Sequence, residues 1–365
     1  MQDDGARLES LLESCVEAGA TDLHLSAGAV PRLRRDGELF EIEGAPSLDA
    51  SELARLARSI MSERQWQAFE ELTALDIALT SRGGSRFRIN VFEERGGVAF
   101  AIRRLEEGFR ALEDWSLPGR LQELAQLRDG LVLLTGPTGS GKSTTLATIL
   151  HGINRARSCH ILTIEDPIEY LHDNDRALIH QRELHTSVRS FAEGVRSAMR
   201  EDPDVLLIGE MRDLETMRAA ITAAETGHLV FSTLHTGDAV GAVERMIGAF
   251  PASEQDSLRQ QLSLVLKAVV AQRLLPRKQA SGMVPAVEIL NITSAVSNLI
   301  RTGRTEQIYS AMETGGEQGM RTMEQDLAGL VSDGTIDVGT ARLAAHHSAN
   351  LDAWLERGSA ARRGS

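Results

Sequence analysis

Cysteine is nearly absent from this chain: Cys15 and Cys159 are the only two in 365 residues. That excludes a disulfide framework and a cysteine-based metal site, and makes a reducing cytosol the expected compartment. Aromatic residues amount to 4%, and no basic stretch is interleaved with them. The stacking platforms of a single-strand binder are therefore missing. Positive charge is outweighed as well, with 39 Lys and Arg against 52 Asp and Glu and a formal net charge of -13. A nucleic-acid partner is not expected from that balance. No run approaches the roughly 18 uninterrupted apolar residues of a membrane helix, so membrane association is left to a partner. The opening MQDDGARLES is acidic and polar and is not expected to act as a secretory signal.

What is present is a clear order of patterns. Leu8, Leu11, Leu12 and Cys15 fall at helical spacing, TDLHLSAG alternates as a strand, and PRLRRDGELFEI reads as a hairpin turning at Asp36-Gly37. Helical patterns follow near 50–61 and 63–72, and ALDIALTS with SRFRINVFEERGGVAFAIRRL reads as an antiparallel meander. Residues 1–105 are expected to form an α+β domain. The periodicity then breaks, giving a linker over 106–118. Beyond it, GLVLLTG, HILTIED, DVLLIGE and HLVFSTLH are continuous apolar runs separated by helical stretches. Such runs suit a parallel sheet covered on both faces. From Ser253 onward the pattern reads as mainly helical, DSLRQQLSLVLKAVVAQRLL included. The expectation is an α/β domain over 119–350 with a helical C-terminal part, then a disordered tail over 351–365.

LLTGPTGSGKSTTLATIL is an apolar strand, a glycine-rich loop and a helix, and it fits G-x-x-x-x-G-K-[ST] at Gly136, Gly141, Lys142 and Ser143. The glycines let backbone N–H groups close on phosphate oxygens, and the helix start turns its positive end toward the same anion. Gly136, Pro137, Thr138, Gly139, Ser140, Gly141, Lys142, Ser143 and Thr144 make the expected cradle for ATP. Lys142 would reach the β- and γ-phosphates, and Ser143 would ligate Mg²⁺.

Two further strands end in acids: DVLLIGE at Glu210 and ILTIED at Glu165 and Asp166. Carboxylates delivered to the crevice of a parallel sheet can hold Mg²⁺ and orient or deprotonate water. Either Glu165 or Glu210 can be the base, the other supporting the ion. The plainer readings are a polar strand exit at Glu210 and a cap on the Pro167 turn. His228 and His235 bracket LVFSTL seven positions apart, which on a strand is roughly 23 Å, too far to share one metal ion. In SRFRINVF, Phe87, Ile89 and Val91 share one face while Arg86, Arg88 and Asn90 share the other. In VAFAIRRL, Arg103 projects opposite Ile102. Arg88 and Arg103 thus fit either a phosphate-seeking pair or a solvated basic face.

GPTGSGKSTT, ILTIEDPIEYLH, RSAMREDPDVLLIGEMRDLETMRAAITAAETGHLVFSTLHT and FPASEQ, in this order, resemble the Walker A, aspartate-box, Walker B and histidine-box motifs of the hexameric type II/type IV secretion ATPases. The resemblance runs from about residue 6 to 340. ATDLHLSAG, AVSNLIRTGRTEQIYSAMETGG and GMRTMEQDLAGLVSDGTI bring it nearest the pilus-retraction branch, with Ser297 and Thr302 departing from that branch's usual Arg and Glu. It implies an N-terminal PAS-like domain and a RecA-like P-loop ATPase domain, assembled as a homohexamer on the cytoplasmic side of the inner membrane. The implied partners are the pilus platform protein and a second retraction ATPase. Direction of work distinguishes retraction from the alternatives, an assembly or type II secretion ATPase or a low-turnover accessory protein. The resemblance also implies that Arg88 and Arg103 complete a neighbouring protomer's site. His228 and His235 are implied to sense nucleotide state; a packing role is the other reading.

Overall fold

Alternation decides the architecture of the first unit. The structure, a computed structural model, describes residues 2–35, 37–105, 108–279 and 282–363. Its contacts divide the chain into residues 1–108 with 164–171 and 181–190, and the remainder from Phe109. In the first unit, α1 (Gln2–Glu17) leads into β1 (Asp22–Leu25), β2 (Arg32–Arg35) and β3 (Glu38–Glu41). Helices α2 (Ala50–Ile60) and α3 (Glu63–Leu72) follow, and β4 (Ala74–Thr80), β5 (Arg86–Glu94) and β6 (Gly97–Arg104) complete a six-stranded sheet ordered β3-β2-β1-β6-β5-β4. Every described pairing in it is antiparallel.

On β5, Phe87, Ile89 and Val91 are fully buried against Leu8 and Leu12 of α1, Leu53 and Leu56 of α2 and Phe69 of α3. The helices therefore cover one face of the sheet, and the arginines occupy the other. Helix starts are set by local chemistry. Asp49 accepts from the Glu52 N–H at 2.8 Å, and Ser62 with Gln65 forms a reciprocal capping box.

The second unit is built on β7 (Gly130–Thr135), whose six residues are all buried. Along the chain follow α4 (Lys142–Ala156), β8 (His160–Glu165), β9 (Leu178–Glu183), α5 (Phe191–Ala198), β10 (Val205–Ile208), α6 (Leu214–Glu225) and β11 (Leu229–Leu234). Next come α7 (Ala239–Gly248), α8 (Gln255–Val265), β12 (Leu266–Pro276), β13 (Met283–Asn291), α9 (Ser294–Arg301) and α10 (Ile308–Thr314). The last helices are α11 (Met323–Ser332), α12 (Val338–Ala344) and α13 (Ser348–Arg363). The sheet order is β13-β12-β7-β11-β10-β8-β9. Strands β12, β7, β11 and β10 run parallel, and β13 is antiparallel to β12.

Three expectations change here. The run LKAVVAQRLL, read as helical, is strand β12, lying between β7 and β13 with both faces covered. A continuous apolar run carries neither period, so its neighbours decide its form. The segment read as a linker groups with the second unit from Phe109 on, because Leu112 and Leu117 are buried in that unit's core. The tail read as disordered is helix α13, pinned by the fully buried Leu351 in a cluster with Met323, Leu327 and Ile336. Asp36 of the expected hairpin turn, Glu106 and Glu107 at the start of the linker, and the last two tail residues lie outside the described residues. Among the described residues no helix is long and apolar enough to cross a membrane.

Candidate nucleotide-binding site

In a parallel sheet the loops leaving the strands' carboxyl ends form the ligand crevice. Strand β7 hands over at Thr135 to the loop Gly136–Gly141, which returns into α4 at Lys142. Two glycines are dictated by contact as well as by backbone angle. A side chain on Gly136, at φ +143, would meet the Gln272 carbonyl oxygen at 2.2 Å, and one on Gly141, at φ +84, would meet the Gln272 amide nitrogen at 2.8 Å. Gly141 caps α4 without a side-chain hydrogen bond, so the first N–H groups of the helix face the loop uncapped by a side chain.

Lys142 is buried, and its Nζ donates to the carbonyls of Gly136 at 2.9 Å and Pro137 at 3.0 Å, which holds the ammonium in the centre of the loop. The Ser140 hydroxyl is buried without a hydrogen-bond partner among the described residues. An orphaned donor, a buried ammonium and two glycines whose Cβ positions are taken make a cradle that fits a phosphate chain.

Gln272, which the sequence reading passed over, supports the loop from beneath. It is 2% exposed on β12; its amide donates to Ser140 O at 2.7 Å and accepts from Thr145 Oγ1 at 2.8 Å. A polar side chain inside an apolar run was the available signal, because a buried amide requires partners. Thr135 and Thr236 bind each other across the same edge, their hydroxyls 2.7 Å apart.

Strands β10 and β11 bring Glu210 and His235 to that edge. Register pairs Leu234 with Thr135 and Ile208 with Ser232, so the residues that follow all leave on the P-loop side. The Glu210 carboxylate forms an ion pair with Arg212 at 2.7 Å and lies 3.2 Å from His235 Nε2. A carboxylate held by an imidazole and a guanidinium can orient water and pass on a proton.

His228 is not brought there. It precedes β11 at the amino edge, where its carbonyl accepts from Gly130 N and its Nδ1 lies 2.9 Å from Ala223 O at the end of α6. The six residues of β11 separate it from His235, seven positions on, by roughly 23 Å. Of the two histidines read as sensors of nucleotide state, only His235 lies at the P-loop edge, beside Glu210, while His228 stands at the opposite end of β11. Gly227, at φ +96, does end α6 as the sequence implies.

The other candidates are found in the first unit. Arg88 and Arg103 are direct cross-strand partners on β5 and β6. Arg88 binds both oxygens of Asp76, at 3.3 and 3.2 Å, and Glu169 at 3.2 Å; Arg103 binds Asp22 at 2.9 Å. Glu165, the last residue of β8, accepts from Gln181 Nε2 at 3.2 Å. Nearby, Ile168 N donates to Glu183 at 3.0 Å, and its carbonyl receives Arg86 at 3.1 and 2.6 Å.

Known proteins share this plan. Residues 6–335 match the family described as type II/IV secretion system protein. The type IV pilus retraction ATPase PilT of Pseudomonas aeruginosa is 44% identical over 335 residues, 92% of this chain and 97% of that protein. A twitching motility protein of Neisseria gonorrhoeae is 43% identical over 325 residues, 89% of this chain and 87% of the other. The crystal structure of the pilus retraction motor PilT with bound ADP superposes with a TM-score of 0.86 at 42% identity, covering 94% of this chain and 98% of that one. With its cradle, its acid at the strand end and its two-unit plan matched over nearly the whole length, this chain belongs to the type II/IV secretion system protein family.

Proposed function

We propose that the chain is an ATP-hydrolysing motor for type IV pilus retraction, working as a homohexamer on the platform protein at the cytoplasmic face of the inner membrane. One observation carries the reading: a complete phosphate cradle in a chain that matches a retraction ATPase over 92% of its length.

In this reading the triphosphate displaces Lys142 Nζ from the loop carbonyls and takes its hydrogen bonds, while the Ser140 hydroxyl gains an acceptor. Ser143 and Glu210 are the residues of the second unit that would hold Mg²⁺, which when bound neutralises charge on the β- and γ-oxygens. Glu210 orients the attacking water and takes its proton, with His235 beside it to receive or return that proton. This assigns the base to Glu210, because Glu165 has an amide partner and Glu210 an imidazole. Arg88 and Arg103 leave their carboxylates to meet the triphosphate of a neighbouring protomer, neutralising charge as the bond breaks.

The test has two arms. Lys142→Ala should abolish steady-state ATP turnover; wild-type turnover in that variant refutes the cradle. Deleting the gene should leave cells with excess surface pili that no longer retract. A bald deletion strain would make the chain an assembly motor instead.

A further inference from the structure

The acidic chain contains a strongly basic hollow. A cavity of about 810 Å³ in the second unit is walled by residues 109–112, the 3₁₀ helix Gly119–Gln126, Arg128, α4 from Thr148 to Ala156, and Arg157. Arg110, Arg128, Arg155, Arg157 and His151 line it, and among the described residues no carboxylate does. In a chain with 52 acids to 39 basic residues, four guanidiniums on one wall, with no acid among its described residues, do not follow from composition.

Nor are the arginines consumed by ion pairs: among the described residues none of the four forms one. Asp129, next to Arg128, is held by Lys267 at 2.8 Å. Arg157 donates to the carbonyls of Ala125 at 3.3 Å and Leu127 at 2.8 Å, which fixes its guanidinium in the wall. Arg110 stacks over Trp115 at 4.8 Å. Arg128 and Arg155 are exposed. Within the lining, Phe109 stacks on His151 at 4.3 Å and 5°, which gives a planar aromatic surface. Burial and the charge of Arg155 hold the His151 imidazole below its ordinary pKa. At Gly152 a side chain would meet nothing within 4 Å, so packing does not require the gap that this glycine leaves in the wall.

We propose that this cavity binds a small molecule carrying two phosphate groups, at a site separate from the P-loop. Its volume lies within the range of small-molecule pockets. Guanidinium forks match phosphate oxygens in pairs, and two phosphates of about −1.5 to −2 each balance four arginines. The site cannot be the far end of the nucleotide cradle's own phosphate grip. Lys142 and Arg155 are thirteen residues apart on one helix, which is roughly 20 Å along its axis.

Calorimetry on the full chain with inorganic pyrophosphate tests this. Wild type should show two sites and Lys142→Ala one. The double variant Arg128→Glu/Arg155→Glu should keep ATP turnover while losing the second site, with affinity reduced on the order of a hundredfold. The proposal is overturned if Lys142→Ala binds no pyrophosphate, or if the charge reversal leaves its binding unchanged. It is also overturned if vesicles of anionic phospholipid bind through these arginines while free pyrophosphate does not, since the basic hollow would then be a membrane contact.

Discussion

Replacing Gln272 with leucine removes the prop under the phosphate loop while keeping its bulk. Two hydrogen bonds disappear, the 2.7 Å donation to Ser140 O and the 2.8 Å acceptance from Thr145. The threonine hydroxyl can turn to Gly141 O, 3.2 Å away, so its loss is the smaller. The Ser140 carbonyl has no such recourse, and a buried acceptor left without a donor costs about 1–3 kcal/mol. A total near 2 kcal/mol against the binding-competent loop weakens nucleotide affinity about thirtyfold. The assay is titration of a fluorescent ATP analogue beside steady-state turnover. KM should rise by that factor with kcat reduced less, since Gln272 touches the loop and not the reacting atoms. Gln272→Glu should bind more weakly still: it keeps the acceptor for Thr145 but faces Ser140 O and the bound phosphates with a negative charge. If Gln272→Leu binds nucleotide as wild type does, the loop holds its shape without this residue and the reasoning fails.

Other positions give sharper or opposite outcomes. Gly136→Ala sets a methyl 2.2 Å from the Gln272 carbonyl in a backbone conformation at φ +143; nucleotide binding should be undetectable by the same titration, and a functional variant would mean that the strand yields. His228→Ala should cost roughly 1 kcal/mol of stability by removing its bond to the Ala223 carbonyl at the end of α6. Its ATP turnover should match wild type, whereas loss of turnover at unchanged melting temperature would restore the sensing role.

Glu288 gives a pH test. Burial pushes its carboxyl from 4.5 up to about 7, against the pull of the Ala239 N–H, with Asp238 pushing the same way as burial. The folded chain keeps this proton where the unfolded chain has lost it, so the stabilising contribution is full below about pH 4.5 and is lost as pH rises through about 7. Denaturant unfolding of wild type relative to Glu288→Gln should therefore lose on the order of 3 kcal/mol across that window. Parallel pH curves for the two proteins would contradict it.

The sequence carried the cradle by itself, because a P-loop is local: strand, glycines, lysine and helix start lie within eighteen consecutive residues, 133–150. It also carried the two faces of β5, since alternation survives wherever one face is buried and the other is not, as at Phe87 and Arg88. The parallel strands GLVLLT and LVFSTL were legible as apolar runs bounded by turn residues.

Tertiary structure decided the rest. LKAVVAQRLL is a strand because β7 and β13 pair with it on both sides, and α13 is ordered because Leu351 finds an apolar cluster. Two histidines on one strand look equivalent in the sequence. The sheet's direction separates them, placing His235 beside Glu210 and His228 at the opposite edge. Gln272 meets Ser140 from 132 positions away, and the basic hollow joins a loop, a 3₁₀ helix and a helix face. Spacing along a chain encodes what a single turn or strand must do with its own backbone. Partners brought from a hundred residues away are set by which apolar faces must be covered together, and that is settled only when the whole sheet is assembled.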